Sequence, residues 1–391
     1  MANWKRVVLS DVLQNKGYVR GPFGSALKRG ELLSEGIPVY EQQHAIYNSR
    51  DFRFFVNDSK FDKMRRFQVK ENDLIISCSG TVGKVSIIDK DDPKGIISQA
   101  LLLLRVNESM IDPLYLKYFF TSREGYNAIV SRSSGSVQVN IARRNIIENI
   151  PLLLPPIEAQ KKIVNILSDF DKMISNKEAL NVNLQEHAKA LYKRLIIENA
   201  DETWTSGLLS DIAIITMGQS PKGDTYNEDG VGTVFFQGRA EFGFRFPSRR
   251  LYTTDPKRMA QTNDVLLSVR APVGDLNVAY EECCIGRGLG AIRSNDGHQS
   301  FVLYTMYAIR ELLDTYNGEG TVFGSINRKA LNSLPVEIPP KEVIDKFEDI
   351  VSPMDVAIRS NFEEICHLES LRDSLLPKLM TGELDVSEVS F

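Results

Sequence analysis

The chain is poor in the residues that build disulfide or metal frameworks. Its four cysteines, Cys78, Cys283, Cys284 and Cys366, form no Cys-x-x-Cys, so neither a disulfide scaffold nor a thiolate zinc site is expected. The four histidines, His44, His187, His298 and His367, show no ligand spacing. No apolar run approaches the ~20 residues of a membrane span. The longest, around Ile96–Ile97 and Leu101–Leu104, are strand-sized. The opening Met-Ala-Asn-Trp-Lys-Arg lacks a secretory cleavage pattern, so a reducing cytoplasm is the expected location.

Catalytic signatures are also missing. There is no G-x-x-x-x-G-K-[ST] phosphate loop and no Asn-Pro-Pro-Tyr or Asp-Pro-Pro-Tyr. Gly286-Arg-Gly288-Leu-Gly290 resembles a nucleotide loop, but Ala291-Ile292-Arg293 after it reads as strand, not helix. A non-catalytic protein that binds no cofactor or metal of its own is expected. A net charge of −4 excludes a uniformly basic nucleic-acid coat. The balance is uneven: +6 over 1–155, +1 over 156–200, −4 over 201–339 and −7 over 340–391.

What the chain does contain is a long internal repeat. Trp4…Leu9-Ser10-Asp11 returns as Trp204…Leu209-Ser210-Asp211. Asn72-Asp73-Leu74-Ile75-Ile76-Ser77 returns as Asn263-Asp264-Val265-Leu266-Leu267-Ser268, and Val82-Gly83 as Val273-Gly274. Gly135-Ser136-Val137…Ile141-Ala142-Arg143-Arg144 returns as Gly320-Thr321-Val322…Ile326-Asn327-Arg328-Lys329. Ile150-Pro151…Leu154-Pro155-Pro156 returns as Leu334-Pro335…Ile338-Pro339-Pro340. Five matches in one order mean duplication.

After each Pro-Pro the pattern turns helical. A 3,4 alternation runs from Gln160 through Ile163, Leu167, Phe170, Ile174, Lys177, Asn181, Leu184, Ala188, Leu191 and Leu195. A second runs from Phe347 through Val351, Met354, Ile358, Asn361, Ile365, Leu368, Arg372, Leu375 and Leu379. Two long helices with apolar seams are expected to pair antiparallel, because a compact second module returns its ends close together. Centred pairing places Asn361 opposite Lys177–Asn181. Pro353 is expected to kink or break the second helix, and Gly382 to stop it.

The expected architecture is α+β: a first module over 1–155, a helix over 156–200, a second module over 201–339, and a helix with tail over 340–391. The modules would be similar globular recognition domains, separated by a coiled coil with pseudo-two-fold symmetry. Asp73–Ser77, Val265–Val269, Leu101–Leu104 and Gly290–Ile292 read as strands, Asp112–Tyr126 and Gln299–Tyr316 as helices.

Polar, aromatic and basic residues crowd into turn-rich stretches, as base-edge and phosphate contacts require. The candidates in the first module are Gln43, His44, Arg53, Thr81, Lys84, Arg143 and Arg144, with Arg50, Lys63, Arg65 and Arg66 nearby. In the second they are Gln219, Ser220, Gln237, Arg239, Arg245, Arg270, Arg328 and Lys329, with Arg249 and Arg250 nearby.

With these elements in order, the sequence resembles the specificity subunit of a type I restriction-modification system. Ile150-Pro-Leu-Leu-Leu-Pro-Pro-Ile157-Glu-Ala-Gln160, Leu334-Pro-Val-Glu-Ile-Pro-Pro340, Leu375-Leu-Pro-Lys-Leu-Met-Thr-Gly382-Glu-Leu-Asp-Val386 and Gly218-Gln-Ser-Pro221 carry the likeness, which covers essentially the whole chain. The first module lacks a Gly-x-Ser-Pro, and Lys341-Glu-Val-Ile344 stands where the first copy has Ile157-Glu-Ala-Gln160. The resemblance implies double-stranded DNA as ligand, each module reading one half of a split target, and helices that set the spacer. It also implies two methyltransferase subunits and restriction/translocase subunits as partners, with S-adenosylmethionine, ATP and Mg held there. The competing expectation is a coiled-coil scaffold that reads no DNA.

Overall fold

The computed structural model describes residues 4–23, 27–130, 141, 143–200, 204–318 and 324–386. The repeated Gly135-Ser136-Val137 and Gly320-Thr321-Val322 lie outside the described residues. The chain forms two compact units, Met1–Ser175 with Ile365–Phe391, and Asn176–Glu364. Each unit therefore includes a part of both long helices. This division differs from the four consecutive segments expected from sequence.

In the first unit an antiparallel sheet has the order Leu13–Arg20, Leu101–Val106, Leu74–Ser77, Val85–Ile87. A second sheet places Ile37–Tyr40 between Phe55–Val56 and a parallel partner, Ile96–Ile97. Lys5–Val8 pairs with Pro151–Leu154. Leu74–Ser77 is buried throughout, which explains its unbroken apolar run. Asn72 enters it with φ +67°, a left-handed turn that asparagine tolerates. Next to the turn, buried Asp73 receives both Nε (2.7 Å) and Nη2 (2.6 Å) of Arg105.

The second unit repeats this plan. Ala213–Met217, Leu289–Ser294, Val265–Ser268 and Leu276–Val278 form the equivalent sheet. Thr233–Phe236 again pairs in parallel, with Cys283–Ile285, and Thr205–Leu208 pairs with Pro335–Ile338. Asn263 has φ +71°, and Asp264 is held bidentately by Arg293 at 2.7 and 2.8 Å. The turn and the ion pair were copied together with the strand they brace.

The helix candidates of the modules are each divided: Pro113–Thr121 with Arg123–Val130, and Gln299–Ala308 with Arg310–Asp314. The long helices span Ile157–Tyr192 and Lys341–Thr381. Gln160, wholly buried, anchors the first of them: its Oε1 accepts from Asp112 N–H (2.8 Å) and its Nε2 donates to Pro155 O (2.8 Å). Of the kink or break expected at Pro353, the break is absent: the second helix runs continuously through it. Pro353 faces solvent, as does Asp349, whose carbonyl loses its helical donor there and is left to water.

Within the first unit Ile163 and Leu167 join a core containing Leu376 and Leu379, with Leu375 packed against it. Phe170 and Ile174 pack on Ile365 and Leu368. Arg372 donates Nη1 to Asp171 at 2.9 Å. Within the second unit Leu184 and Leu191 pack on a core that includes Ile358. There Asn361 Nδ2 donates to Asn181 Oδ1 at 2.8 Å, and Lys177 lies 2.6 Å from Glu364. Asn181 is 4% exposed, so its amide depends on that partner. Replacing both asparagines by leucine should raise stability by roughly 1–3 kcal/mol, because an apolar pair replaces one buried and one half-buried amide. Asn181→Leu alone should lose about 1–3 kcal/mol by stranding the Asn361 amide. Thermal melts of the three variants check both signs.

Candidate nucleic-acid interface

Three loops meet at one end of each duplicated sheet. In the second unit Gly218 N–H donates to Leu289 O (2.9 Å), Gln219 N–H to Ile285 O (2.9 Å) and Gly286 N–H to Phe236 O (2.8 Å). The backbones touch. A Cβ on Gly218 would lie 2.1 Å from Gly286 O, and one on Gly288 would lie 2.7 Å from Gln237 O. The glycines of Gly286-Arg-Gly288-Leu-Gly290 thus serve loop packing, with Leu289 beginning a strand as the sequence indicated. Ser220 Oγ accepts from Arg287 N–H (3.2 Å), tying two loops together. Exposed Gln219, Gln237 and Arg287 project from this base, and Arg270, one residue past Val269, is exposed beside them. Val269 connects the cluster: its N–H donates to Gly288 O (3.0 Å) and its carbonyl accepts from Ile326 N–H (3.1 Å). The latter bond brings Arg328 and Lys329 towards the same edge.

The first unit has four of these five backbone cross-links, Pro22 having no N–H to match that of Gln219. Gly21 N–H donates to Leu101 O (2.9 Å), Ser98 N–H to Tyr40 O (2.8 Å), and Cys78 joins Ala100 O and Ile141 N–H (both 2.9 Å). By these bonds Gly21 corresponds to Gly218, so Gly21-Pro22-Phe23 takes the place of Gly218-Gln219-Ser220. Near it a cleft of about 320 Å³ is lined by Tyr18, Arg20, Phe23, Arg66, Ile141, Arg143 and Arg144. Burial pushes the Tyr18 hydroxyl up to about 12, so it stays protonated and can donate.

Two candidate contacts require correction. His44 is fully buried and stacked on Phe52 at 4.6 Å. Its Nδ1 accepts from Glu41 N–H (2.7 Å) and its Nε2 lies 3.0 Å from Asp51 O, so the ring braces a turn and no base edge can reach it. Arg245 is 4% exposed, bonded to Tyr304 Oη at 3.0 Å and paired with Asp355 at 3.2 Å. It is a core cation. Other candidates are exposed yet engaged. Arg53 grips Glu41 at 2.7 and 2.8 Å, Arg239 pairs with Asp275, and Arg144 pairs with Glu148 at 2.8 Å. Half-buried Gln43 donates to Asp51 O at 3.2 Å, and exposed Lys84 lies over the Tyr126 ring at 5.3 Å. Thr81 is exposed. Among the described residues, Arg143, Arg270, Arg328 and Lys329 are exposed with no carboxylate partner. Sequence reasoning missed Arg20, Phe23 and Arg287, which single copies of a motif do not reveal but superposition of the two loop sets does.

A duplicated α+β fold with polar, cation-bearing loop clusters defines a class of two-headed nucleic-acid readers. The family model described as type I restriction modification DNA specificity domain matches this chain twice, over 1–186 and 201–365. The chain belongs to that family. Two specificity subunits of Methanocaldococcus jannaschii type I restriction enzymes are similar along most of their length. MjaX is 33% identical, with 85% of this chain and 83% of that protein covered. MjaVIII is 24% identical, with 85% and 84% covered. The solved S subunit of a type I restriction-modification system from M. genitalium shares the fold, at a TM-score of 0.58 and 15% identity over 97% of this chain and 96% of that one. Among the described residues no helix is long and apolar enough to cross a membrane.

Proposed function

We propose that each unit reads one half of a split double-stranded DNA target, and that the long helices form an antiparallel coiled coil fixing the unread spacer. The reading rests above all on one observation: the two units share four equivalent backbone bonds around the same three loops, so a second loop set was kept while its side chains diverged. Glu41 stands where the other copy has Gln237, and Phe23 where it has Ser220. Conserved scaffolding under divergent tips is what two different half-sites ask of one fold. Two methyltransferase subunits would dock on the helices and modules, and restriction/translocase subunits would join them. Those partners would hold S-adenosylmethionine, ATP and Mg, and the base acted on would be flipped into a methyltransferase pocket.

Mapping methylated adenines across the genome with and without this gene tests the reading. A split motif should disappear on deletion. Exchanging the two modules should then reverse the order of its halves, and an unaltered motif after exchange would refute separate readout.

A further inference from the structure

The two units differ where the repeat is otherwise closest. In the first unit, Arg20 ends a sheet strand just before Gly21, is half-buried, and has an Nη1 that is buried without a hydrogen-bond partner. A guanidinium N–H withdrawn from water and unbonded is costly, and at the wall of a cleft it leaves a donor free for an incoming acceptor. The Arg20 guanidinium also lies 5.6 Å from the ring of Phe23, which is 67% exposed. Arg66, Arg143 and Arg144 complete the cleft, and among the described residues no carboxylate lines it. Arg144 is answered by Glu148 and lies 5.0 Å from the Tyr18 ring; Arg20, Arg66 and Arg143 have no carboxylate partner among the described residues. In the second unit the positions of Arg20 and Phe23 are held by Met217 and Ser220, and the Ser220 hydroxyl is occupied by Arg287 N–H. The same asymmetry appears in the net charges, +6 over 1–155 against −4 over 201–339.

We infer that this cleft is a phosphate clamp: Arg20, Arg66 and Arg143 grip the DNA backbone beside the half-site of the first unit, with Arg20 and Phe23 at positions that the second unit fills with Met217 and Ser220. This rests on the DNA-reading proposal and adds to it a division of labour. Three uncompensated guanidiniums converging on one cleft match a run of phosphates, which carry no base identity. Binding through the first unit should thus be salt-sensitive and tolerant of sequence. The second unit sets exposed glutamines, Gln219 and Gln237, with paired donors and acceptors beside its own unpaired Arg270, Arg328 and Lys329, and should add selectivity to its phosphate contacts.

The test measures binding of the full chain, with its methyltransferase subunits, to random-sequence 40-bp duplexes and to the mapped target duplex across a range of salt. Arg20→Gln, Arg66→Gln and Arg143→Gln should each weaken binding to both duplexes by the same factor, about five-fold at 0.15 M salt. Each should also reduce the slope of log K against log salt by about 0.9. Methylation in cells should keep the same split motif. Unchanged slopes in variants that melt like the parent would overturn the clamp, as would a loss confined to particular bases of the first half-site. Should the parent complex itself show no preference for a split target, the DNA-reading proposal fails, whatever the slopes do.

Discussion

Arg245→Ala should destabilise the second unit by about 3–5 kcal/mol, without acting through any DNA contact. The guanidinium is buried, 3.0 Å from Tyr304 Oη and 3.2 Å from Asp355. Asp355 in turn accepts from Tyr304 Oη at 3.0 Å, so the three groups form a closed ring. Burial pushes the Asp355 carboxyl up while Arg245 pulls it back. That balance shows a pair which pays heavily for desolvation. Removing the arginine leaves a carboxylate and a phenol without their partner, plus a hole beside Phe246. A drop in melting temperature of roughly 10 °C is expected for a unit of this size. The joint substitution Arg245→Met with Asp355→Leu should recover most of the loss, since an apolar pair avoids desolvation altogether. A double-mutant cycle by thermal melts distinguishes the outcomes. If Arg245→Ala melts like the parent but loses one half-site, the assignment to the core is wrong and the arginine reads DNA.

Arg245 also shows where sequence reasoning ends. From the order of residues, Phe242-Gly-Phe244-Arg245-Phe246 and Arg249-Arg250 look like an aromatic and basic reading loop. Whether an arginine there is free depends on where distant carboxylates land. Arg239 meets Asp275, Arg249 meets Glu281, Arg250 meets Glu241 and Glu228, and Arg245 meets an aspartate on the long helix. None of these pairings has a periodic signature. The duplicated strands do, because burial on both faces demands an unbroken apolar run, and Asn72 and Asn263 mark their left-handed turns. The helix register was legible for a similar reason. A seam of apolar residues leaves few places for Asn181 and Asn361, and each is the other's partner. Pro353 leaves the helix continuous because a proline breaks a helix only when the freed carbonyl has no alternative. Here that carbonyl belongs to an exposed turn. Arg20 was invisible for a subtler reason: its significance lies in the contrast with Met217, which appears only once the two loop sets are aligned by their hydrogen bonds.

The proposed ruler role of the helices leads to an expectation with a rotational component. Adding seven residues to each helix, at the Ser175–Asn176 and Glu364–Ile365 junctions, keeps the heptad seam and the Asn181–Asn361 pair in register. Each insertion lengthens its helix by about 10 Å, or about three base pairs of duplex. Three base pairs also rotate the far half-site by about 100° around the duplex, given 10–10.5 base pairs per turn. A one-heptad pair should therefore shift the spacer but bind and methylate poorly, because the half-site no longer faces its reader. Three matched heptads add about 31 Å, close to nine base pairs, and bring the half-site back to within about 40° of its original face. That variant should methylate efficiently a motif with the same two halves and a spacer some nine base pairs longer. Insertion into one helix alone slides Asn361 away from Asn181 and mismatches every apolar contact beyond it, so loss of folding is expected there. The readout is the set of methylated adenines in cells carrying each variant with its partners. A spacer that stays constant through the matched insertions would show that the helices hold the units together without measuring the distance between half-sites.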